Sequence, residues 1–291
     1  MPYIRFDKNK KKWNEIDAEE KTDEDLFLDG KLREKLDFAK KQQNNNNDVV
    51  GVISGEEGSG KSTLAANVMR YITDDGFDPK QDMIGADVED GIEKLESVKN
   101  KGALMFDEGN VFFLSTETMK KEQRELHKLF SIFRQKNLFV LIVLPSFFRL
   151  GTYFALDRSR FMLRSYVEKG KRDRFAYYGN KRKTQLYWKG KKFHDHNCVK
   201  PNFRGRFKKC HLLESEEYRK FKLATLKDAF VKAKPKNHKT EFQLRGEVME
   251  KLVMMNKEVR PSELSKYLGI TKRYINMIKA RNKPEVPVVN A

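Results

Sequence analysis

One octapeptide constrains the fold of this chain more than any other feature. Residues 55–62 read Gly-Glu-Glu-Gly-Ser-Gly-Lys-Ser, after the β-branched run 48–54 and before residues 63–72, whose apolar positions share one helical face. A glycine-rich loop in this position directs backbone N–H groups and the positive end of the helix toward a phosphate group. The sequence therefore predicts a strand, a phosphate-binding loop and a helix.

The octapeptide fits the pattern G-x-x-x-x-G-K-[ST], which binds nucleoside triphosphates between a strand and a helix. We expect Lys61 to reach the β- and γ-phosphates of ATP and the Ser62 hydroxyl to ligate Mg²⁺. The residues expected to line the nucleotide are Gly55, Glu56, Glu57, Gly58, Ser59, Gly60, Lys61, Ser62 and Thr63.

An acidic pair, Asp107 and Glu108, directly follows the apolar run 103–106. In the Walker B motif a buried strand carries an Asp to the Mg²⁺ coordination sphere. We expect Asp107 to take that role and Glu108 to polarise the attacking water, which favours hydrolysis over phosphoryl transfer to a metabolite. An acidic strand end at the surface is the alternative interpretation.

Strands and helices alternate through residues 48–168. Besides the first strand and helix, the predicted strands are 83–86, 103–106 and 138–144, and the predicted helices are 88–98 and 118–133. The run 138–144 is uniformly apolar, which is typical of a central strand buried on both faces. This alternation predicts an α/β domain with a parallel central sheet.

Polar residues near the run 138–144 are candidates for contacts with the γ-phosphate. Ser146 stands where related ATPases place a sensor, although a simple Pro-Ser turn would look the same. Arg134, Arg158 and Arg160 are candidates for an arginine finger supplied to a neighbouring subunit, which can raise hydrolysis by about 10³ to 10⁵. For each of them a solvated or DNA-facing arginine is the alternative.

These motifs resemble those of the additional-strand, catalytic-Glu branch of P-loop ATPases, which contains the RecA-like motors and the AAA+ proteins. Over residues 48–168 their order is most similar to that of the zonular occludens toxin-type and FtsK/HerA-type ATPases. The chain departs from the FtsK/HerA pattern at Pro145-Ser146, where those groups place a Gln, and it has no membrane segment like that of the toxin-type members. The resemblance implies an ATPase that handles viral or mobile-element DNA as a homo-oligomer with a trans arginine finger.

Positive charge is concentrated in residues 158–209. The chain carries 60 Lys and Arg against 42 Asp and Glu, and this stretch alone carries 18 basic residues against three acidic ones. The interleaved aromatic residues are Phe175, Tyr177, Tyr178, Tyr187, Trp188, Phe193, Phe203 and Phe207. Charge for phosphates and rings for stacking favour a nucleic-acid surface, with a solvated basic face as the alternative. Period-two patterning after residue 160 predicts β-hairpins, including a strand at 186–188.

Both cysteines and three of the five histidines fall within 18 residues. They are His194, His196, Cys198, Cys210 and His211. These side chains could provide four ligands for a tetrahedral Zn²⁺ ion. Isolated loop residues are the alternative, because the spacing contains no C-x-x-C pair.

Residues 243–282 resemble a helix-turn-helix domain, with Gly269 at the tight turn and a second helix beginning near Thr271. The apolar residues that would pack the two helices are Leu264, Leu268, Ile270, Ile275 and Ile278. The residues expected to enter the major groove of duplex DNA or grip its phosphates are Lys272, Arg273, Tyr274, Asn276, Lys279 and Arg281. A three-helix protein-docking module is the alternative.

Taken together, the sequence predicts an α/β P-loop NTPase with a parallel central sheet, a basic β-hairpin extension and a small all-α helix-turn-helix domain. The expected divisions are an N-terminal arm and helix (1–47), an ATPase core (48–168), the extension (169–213), a helix and linker (214–240), and the helical domain with its tail (241–291). No apolar run approaches the ~20 residues that span a bilayer. We therefore expect no membrane insertion and a cytoplasmic or virion-associated protein.

The predicted function is an ATP-hydrolysing, DNA-associated motor. Two alternatives remain open at this point. One is a DNA-binding switch that ATP controls without translocation, and the other is an adaptor whose nucleotide is structural.

Overall fold

The computed structural model describes residues 3–17, 19–85, 88–107, 109, 113, 133–214, 218, 241–256 and 258–281. The chain forms two compact units, residues 1–231 and residues 232–291. The helices predicted over 118–133 and 214–233 lie almost entirely outside the described residues.

A small antiparallel sheet begins the first unit. β1 (Tyr3–Asp7) forms a hairpin with β2 (Lys12–Ile16), and β3 (Leu26–Phe27) pairs with the other edge of β1. Ile4 is fully buried and Trp13 nearly so, because alternate positions of a strand face opposite sides. The expected N-terminal arm therefore contains a folded sheet, which the sequence did not reveal because each strand of the hairpin has one buried apolar residue among charged ones.

The helix that follows, α1 (Gly30–Asn44), begins at an acidic cap. The carboxylate of Asp29 accepts hydrogen bonds from the backbone N–H groups of Lys31, at 3.0 Å, and Leu32, at 3.3 Å. This cap satisfies donors that the first turn of a helix leaves without partners. Leu32 and Leu36 then face the core.

Seven strands form the central sheet of the described residues, in the order β10-β9-β8-β4-β7-β6-β5. They are β4 (Val49–Ser54), β5 (Met83–Ile84), β6 (Ala103–Asp107), β7 (Phe139–Leu144), β8 (Ser159–Glu168), β9 (Lys171–Gly179) and β10 (Phe203–Arg206). β5, β6, β7, β4 and β8 run parallel, whereas β9 runs antiparallel to β8 and β10 runs antiparallel to β9. Every residue of β7 is buried, which confirms the central strand expected from its uniformly apolar sequence. The strand β7 therefore separates β4 from β6.

Helices cover both faces of this sheet, and an apolar cluster fills each side. They are α2 (Lys61–Ile72), α3 (Pro79–Asp82), α4 (Val88–Ser97), α5 (Asn180–Gly190) and α6 (His211–Glu214). The strand predicted at residues 186–188 was wrong, because these residues lie in α5, where Leu186 and Tyr187 are buried. Their apolar run is too short to distinguish a strand from the buried face of a helix.

The basic region begins inside the central sheet. The expected boundary between residues 168 and 169 falls where β8 turns into β9. These two strands pair along their length, from Phe161 opposite Gly179 to Glu168 opposite Lys171. Residues 169–206 are therefore not an appendage to the ATPase core but supply two of the strands of its sheet.

The second unit contains α7 (Glu241–Met255), α8 (Pro261–Leu268) and α9 (Lys272–Arg281) among its described residues. Its apolar centre consists of Val253, Leu264, Ile275 and Ile278. Gly269 ends α8 with a φ of 64°, a conformation that glycine adopts without strain. The helix pair expected from the sequence is present, while its assignment as a helix-turn-helix domain stays a prediction.

None of the helices that the structure describes combines the length and the apolar character that crossing a lipid bilayer requires.

Candidate nucleotide site

The loop between β4 and α2 has the backbone that a phosphate-binding loop needs. Gly58 and Gly60 have φ angles of 70° and 89°, in the left-handed region that favours glycine. Gly60 caps α2, so the N–H groups of the first turn of this helix face the loop. The predicted strand, loop and helix are therefore confirmed. The arrangement can accept an anion at the positive end of a helix.

The side chain of Lys61 folds back over this loop. Its Nζ donates a 2.8 Å hydrogen bond to the backbone oxygen of Glu56. The ammonium group therefore lies beside the phosphate-binding loop. A bound phosphate oxygen could replace the Glu56 carbonyl as the acceptor of its hydrogen bond.

Ser62 and Asp107 meet beside the loop. The Ser62 hydroxyl donates a 2.9 Å hydrogen bond to Oδ1 of Asp107, although 45 residues separate the two. Parallel pairing explains the contact, because β4 and β6 flank β7 and end at the same edge of the sheet. A hydroxyl and a carboxylate are hard oxygen donors of the kind that Mg²⁺ prefers, so this pair fits a magnesium site. Glu108, the predicted catalytic base, lies outside the described residues.

Ser165 on β8 contacts the phosphate loop, and the sequence analysis did not predict this contact. Its hydroxyl lies 2.7 Å from that of Ser59, and both side chains are buried. A Cβ built on Gly55 would lie 2.3 Å from the backbone oxygen of Ser165, so this position needs glycine for close approach. The pairing of β4 with β8 brings these residues together across 106 positions, and no local motif marks such a contact.

A buried phenol lies near the acidic end of β6. Burial raises the pKa of Tyr218, and the negative charge of Asp107 raises it further. Its hydroxyl donates to Sδ of Met83 at 3.8 Å. Tyr218 therefore stays neutral at any pH near 7 and contributes no charge to the site.

Ser146 lies two residues after the end of β7, at the same edge of the sheet as the loop and Asp107. Its backbone oxygen accepts a 3.2 Å hydrogen bond from the N–H of Arg149. The position suits a γ-phosphate contact, but the sensor role stays a prediction.

The three candidate finger arginines lie at the opposite edge: Arg134 and Arg158 precede β7 and β8, and Arg160 is the second residue of β8. Arg158 forms a 2.7 Å ion pair with Asp48, and both side chains are only 11% exposed. Arg134 approaches the same carboxylate at 3.9 Å with a side chain 69% exposed, and Arg160 is exposed. From this edge an arginine could serve only the site of a neighbouring copy. The finger role stays a prediction, and Arg158 already has a structural partner.

The structure does not bring the proposed zinc ligands together. Cys210 belongs to the apolar cluster on one face of the sheet, whereas His196 packs on Phe148 of the other cluster, with ring centroids 4.5 Å apart. His211 lies beside Arg70, at 3.3 Å, and Cys198 is exposed. Within the described part of the chain, no three His, Cys, Asp or Glu side chains are placed to hold a metal ion.

Burial changes the pKa values of two of the proposed zinc ligands in the way expected for side chains packed in a core. Burial lowers the pKa of His196 to about 4 and raises the pKa of the Cys210 thiol. A neutral imidazole and a neutral thiol, each packed in a separate apolar cluster, explain these residues without zinc.

Most aromatic side chains of the basic region are buried in the hydrophobic core. Five of them are buried, namely Phe175, Tyr177, Tyr178, Tyr187 and Phe207. Trp188 is 62% exposed and Phe193 is 74% exposed, so these two rings are accessible to a partner. Of the predicted DNA contacts on α9, five are exposed, namely Lys272, Arg273, Tyr274, Asn276 and Arg281. Lys279 is half-buried and donates to the backbone oxygen of Val259 at 2.9 Å.

Three solved structures illustrate the likeness of this chain to known proteins. The genome packaging NTPase B204 of Sulfolobus turreted icosahedral virus 2, in complex with ATP-gammaS, has 14% identity and a TM-score of 0.34, over 47% of this chain and 94% of that chain. B204, the DNA-packaging ATPase of Sulfolobus turreted icosahedral virus, has 11% identity and a TM-score of 0.34, over 47% and 94%. The N-terminal domain of zonular occludens toxin from Neisseria meningitidis has 10% identity and a TM-score of 0.37, over 58% and 98%.

No protein-family model and no curated protein matches the chain. With scores this low, the fold assignment rests on the chain's own geometry, in which β7 is inserted between the loop-bearing strand β4 and the Asp107-bearing strand β6. The first unit therefore has the mixed α/β fold of an additional-strand P-loop NTPase.

Proposed function

We propose that this protein hydrolyses ATP and couples hydrolysis to the handling of DNA. The 2.9 Å hydrogen bond between Ser62 and Asp107 carries this proposal. It joins the two nucleotide motifs at one edge of the sheet, where a phosphate loop and a carboxylate would share one Mg²⁺ ion.

Each residue of the site has a distinct task in this proposal. The backbone N–H groups of the loop and of the first turn of α2 bind the phosphates, and Lys61 neutralises charge on the β- and γ-phosphates. Ser62 and Asp107 would hold Mg²⁺, which draws charge from the phosphate oxygens when it is bound. Glu108 orients and deprotonates the attacking water, and Ser146 contacts the γ-phosphate.

DNA is the partner that the charge distribution favours. The chain has a formal net charge of +18, and its region of densest positive charge is part of the same unit as the nucleotide site. We propose that this region and the exposed residues of α9 bind duplex DNA through its phosphates, in a viral or mobile-element setting. A homo-oligomer in which Arg134 or Arg160 reaches a neighbouring site would complete the machinery.

The test is the rate of ATP hydrolysis by the purified protein, with and without duplex DNA, beside Lys61→Ala and Glu108→Gln. We expect DNA to raise the rate, both substitutions to lower it by about 10²-fold or more, and added salt to weaken the stimulation. Glu96→Gln is the matched control, because Glu96 is an exposed carboxylate on α4. It should leave the rate unchanged.

The outcomes separate the motor from its alternatives. Stimulated hydrolysis with movement along duplex DNA supports the motor, and stimulation without movement supports the switch. Absence of turnover in the folded wild-type protein overturns the enzymatic proposal and leaves the adaptor.

A further inference from the structure

The start of β9, just after the turn from β8, lies against the phosphate loop and brings a guanidinium group to it. A Cβ built on Gly58 would lie 3.8 Å from Cζ and Nη1 of Arg172. A Cβ on Gly60 would lie 3.3 Å from the backbone oxygen of the same arginine. Arg172 therefore contacts the loop of its own chain, unlike the arginines that the sequence suggested as fingers.

A second segment, residues 207–209, forms a cover over the loop together with the start of β9. The N–H of Phe207 donates to the backbone oxygen of Asp173 at 2.9 Å, which ties the segment to β9. The buried amide of Asn67, on α2, donates to the backbone oxygen of Lys208 at 2.9 Å. The Phe207 ring would lie 2.9 Å from a Cβ at Gly60. Contacts with both β9 and α2 therefore hold residues 207–209 in a fixed position next to the loop.

Between the loop and its cover lies a cleft of about 840 Å³. This volume lies within the range of roughly 300–1,000 Å³ that is usual for ligand pockets. Its cover contributes four basic residues, Lys171, Arg172, Lys208 and Lys209. The acidic residues of the lining are Asp173 and Glu214, and the Glu214 carboxylate lies 3.0 Å from Nζ of Lys209. The cleft is therefore strongly basic and suits a polyanion.

We propose that Arg172 binds the α- and β-phosphates of the nucleotide in cis, with Lys208 adding long-range attraction. The inference rests on the proposed nucleotide site and adds to it a phosphate-binding residue from outside the phosphate loop. The position of Arg172 decides which phosphates it contacts. The guanidinium lies over Gly58, and the cleft runs along Lys61, Ser62 and Thr63, where loop N–H groups cradle the α- and β-phosphates.

A cis ligand of these phosphates has a different signature from an arginine finger. ADP and ATP share the α- and β-phosphates, so removing Arg172 should weaken both nucleotides equally. A finger acts on charge that develops at the γ-phosphate during hydrolysis, so its removal lowers turnover and leaves ADP affinity unchanged.

The experiment measures equilibrium binding of ADP and of a non-hydrolysable ATP analogue, with Mg²⁺, to the full chain and its variants. Arg172→Ala should weaken both ligands roughly tenfold or more, because it removes a charge-assisted hydrogen bond to phosphate. Arg172→Lys should retain part of the affinity through its point charge. Arg206→Ala is the matched control, since Arg206 is an exposed arginine of the same sheet that does not line the cleft. It should stay within about twofold of wild type.

Each other outcome counts against the inference in a recognisable way. Unchanged affinities in Arg172→Ala, with binding lost in Lys61→Ala, overturn it and leave the proposed function standing. Reduced ATP turnover with unchanged ADP affinity also overturns it, in favour of a γ-phosphate role. A wild-type protein that binds neither nucleotide overturns the inference and the proposed function together. Arg172 is exposed, so its variants are expected to fold, and thermal unfolding checks this.

Discussion

The two edges of the central sheet carry charged side chains in different ways. At the amino edge, before the strands begin, Asp48 is paired with Arg158 at 2.7 Å, and the buried Lys183 donates to the backbone oxygen of Ala155 at 2.6 Å. At the carboxyl edge, Lys61 and Arg172 border an open cleft, and Asp107 shares a hydrogen bond with a neutral hydroxyl. Charge at the amino edge is thus paired or hydrogen-bonded within the fold, whereas the carboxyl edge presents charge to a ligand. Substitutions at the two edges should therefore affect different observables.

The largest contrast is expected between two carboxylates. Asp107→Asn should lower ATP hydrolysis by about 10²- to 10³-fold, because it weakens the contact with Mg²⁺ at the phosphates. The free energy of unfolding should change by less than about 1 kcal/mol, since the amide can still accept the hydrogen bond from Ser62.

The matched variant at the amino edge, Asp48→Asn, should show the reverse. It leaves Arg158 without its charged partner in a largely buried site and should cost about 1–2 kcal/mol of unfolding free energy. ATP turnover per folded molecule should match wild type. If Asp48→Asn abolished turnover while the protein stayed folded, the proposed division between the edges would be wrong.

Lys183 tests the amino edge by itself. Its Nζ donates to the backbone oxygens of Ala155 and Ser159 and to the Ser159 hydroxyl, and burial lowers its pKa to about 8. Lys183→Met should reduce the free energy of unfolding by about 3 kcal/mol, because buried carbonyl oxygens lose their donor. Chemical denaturation of Lys181→Met, an exposed lysine on the same helix, supplies the control and should differ from wild type by less than about 0.5 kcal/mol.

Two buried serines at opposite ends of β8 sharpen the comparison. Ser165→Ala removes the hydroxyl that holds Ser59 in the phosphate loop and should weaken ATP binding about fivefold. Ser159→Ala removes a partner of Lys183 and should lower stability by about 1 kcal/mol without changing ATP affinity. Equal losses of ATP affinity in both variants would indicate a general loosening of β8 instead.

The last comparison concerns the pH dependence of stability. Because burial lowers the pKa of His196 to about 4 in the folded state, against about 6.5 when unfolded, the unfolded chain binds more protons between these values. Stability should therefore fall as the pH falls from about 6.5 to 4. In His196→Leu this part of the pH dependence should disappear, whereas His194→Leu, at an exposed position, should retain it.

Local sequence signals were sufficient for the phosphate loop, for β7 and for the acidic end of β6. Each of these features is encoded in a contiguous run, by glycines before Lys61 or by uninterrupted apolar residues. The place of β7 between β4 and β6 was not predicted, because strand order depends on pairing between segments that are distant in sequence.

The contacts that the sequence did not reveal depend on strand pairing over long separations. Ser165 reaches Ser59 because β8 pairs with β4, and Arg172 reaches Gly58 because β9, which pairs with β8, begins beside the loop. Conversely, Cys210 and His196 are near each other in sequence but pack in clusters on opposite faces of the sheet. Strand pairing, rather than separation in sequence, decides which side chains meet. For this reason the zinc prediction was wrong, and the contact of Arg172 with the loop was not predicted.

The most direct test of the central claim is hydrogen–deuterium exchange with and without a non-hydrolysable ATP analogue and Mg²⁺, in wild type and in Lys61→Ala. The account predicts that the nucleotide protects residues 55–63 and the start of β9, which contains Arg172. Residues around Asp48 and Arg158 should not respond, and Lys61→Ala should lose the protection. Protection at the amino edge, or none in the phosphate loop of a wild-type protein saturated with the analogue, would contradict it.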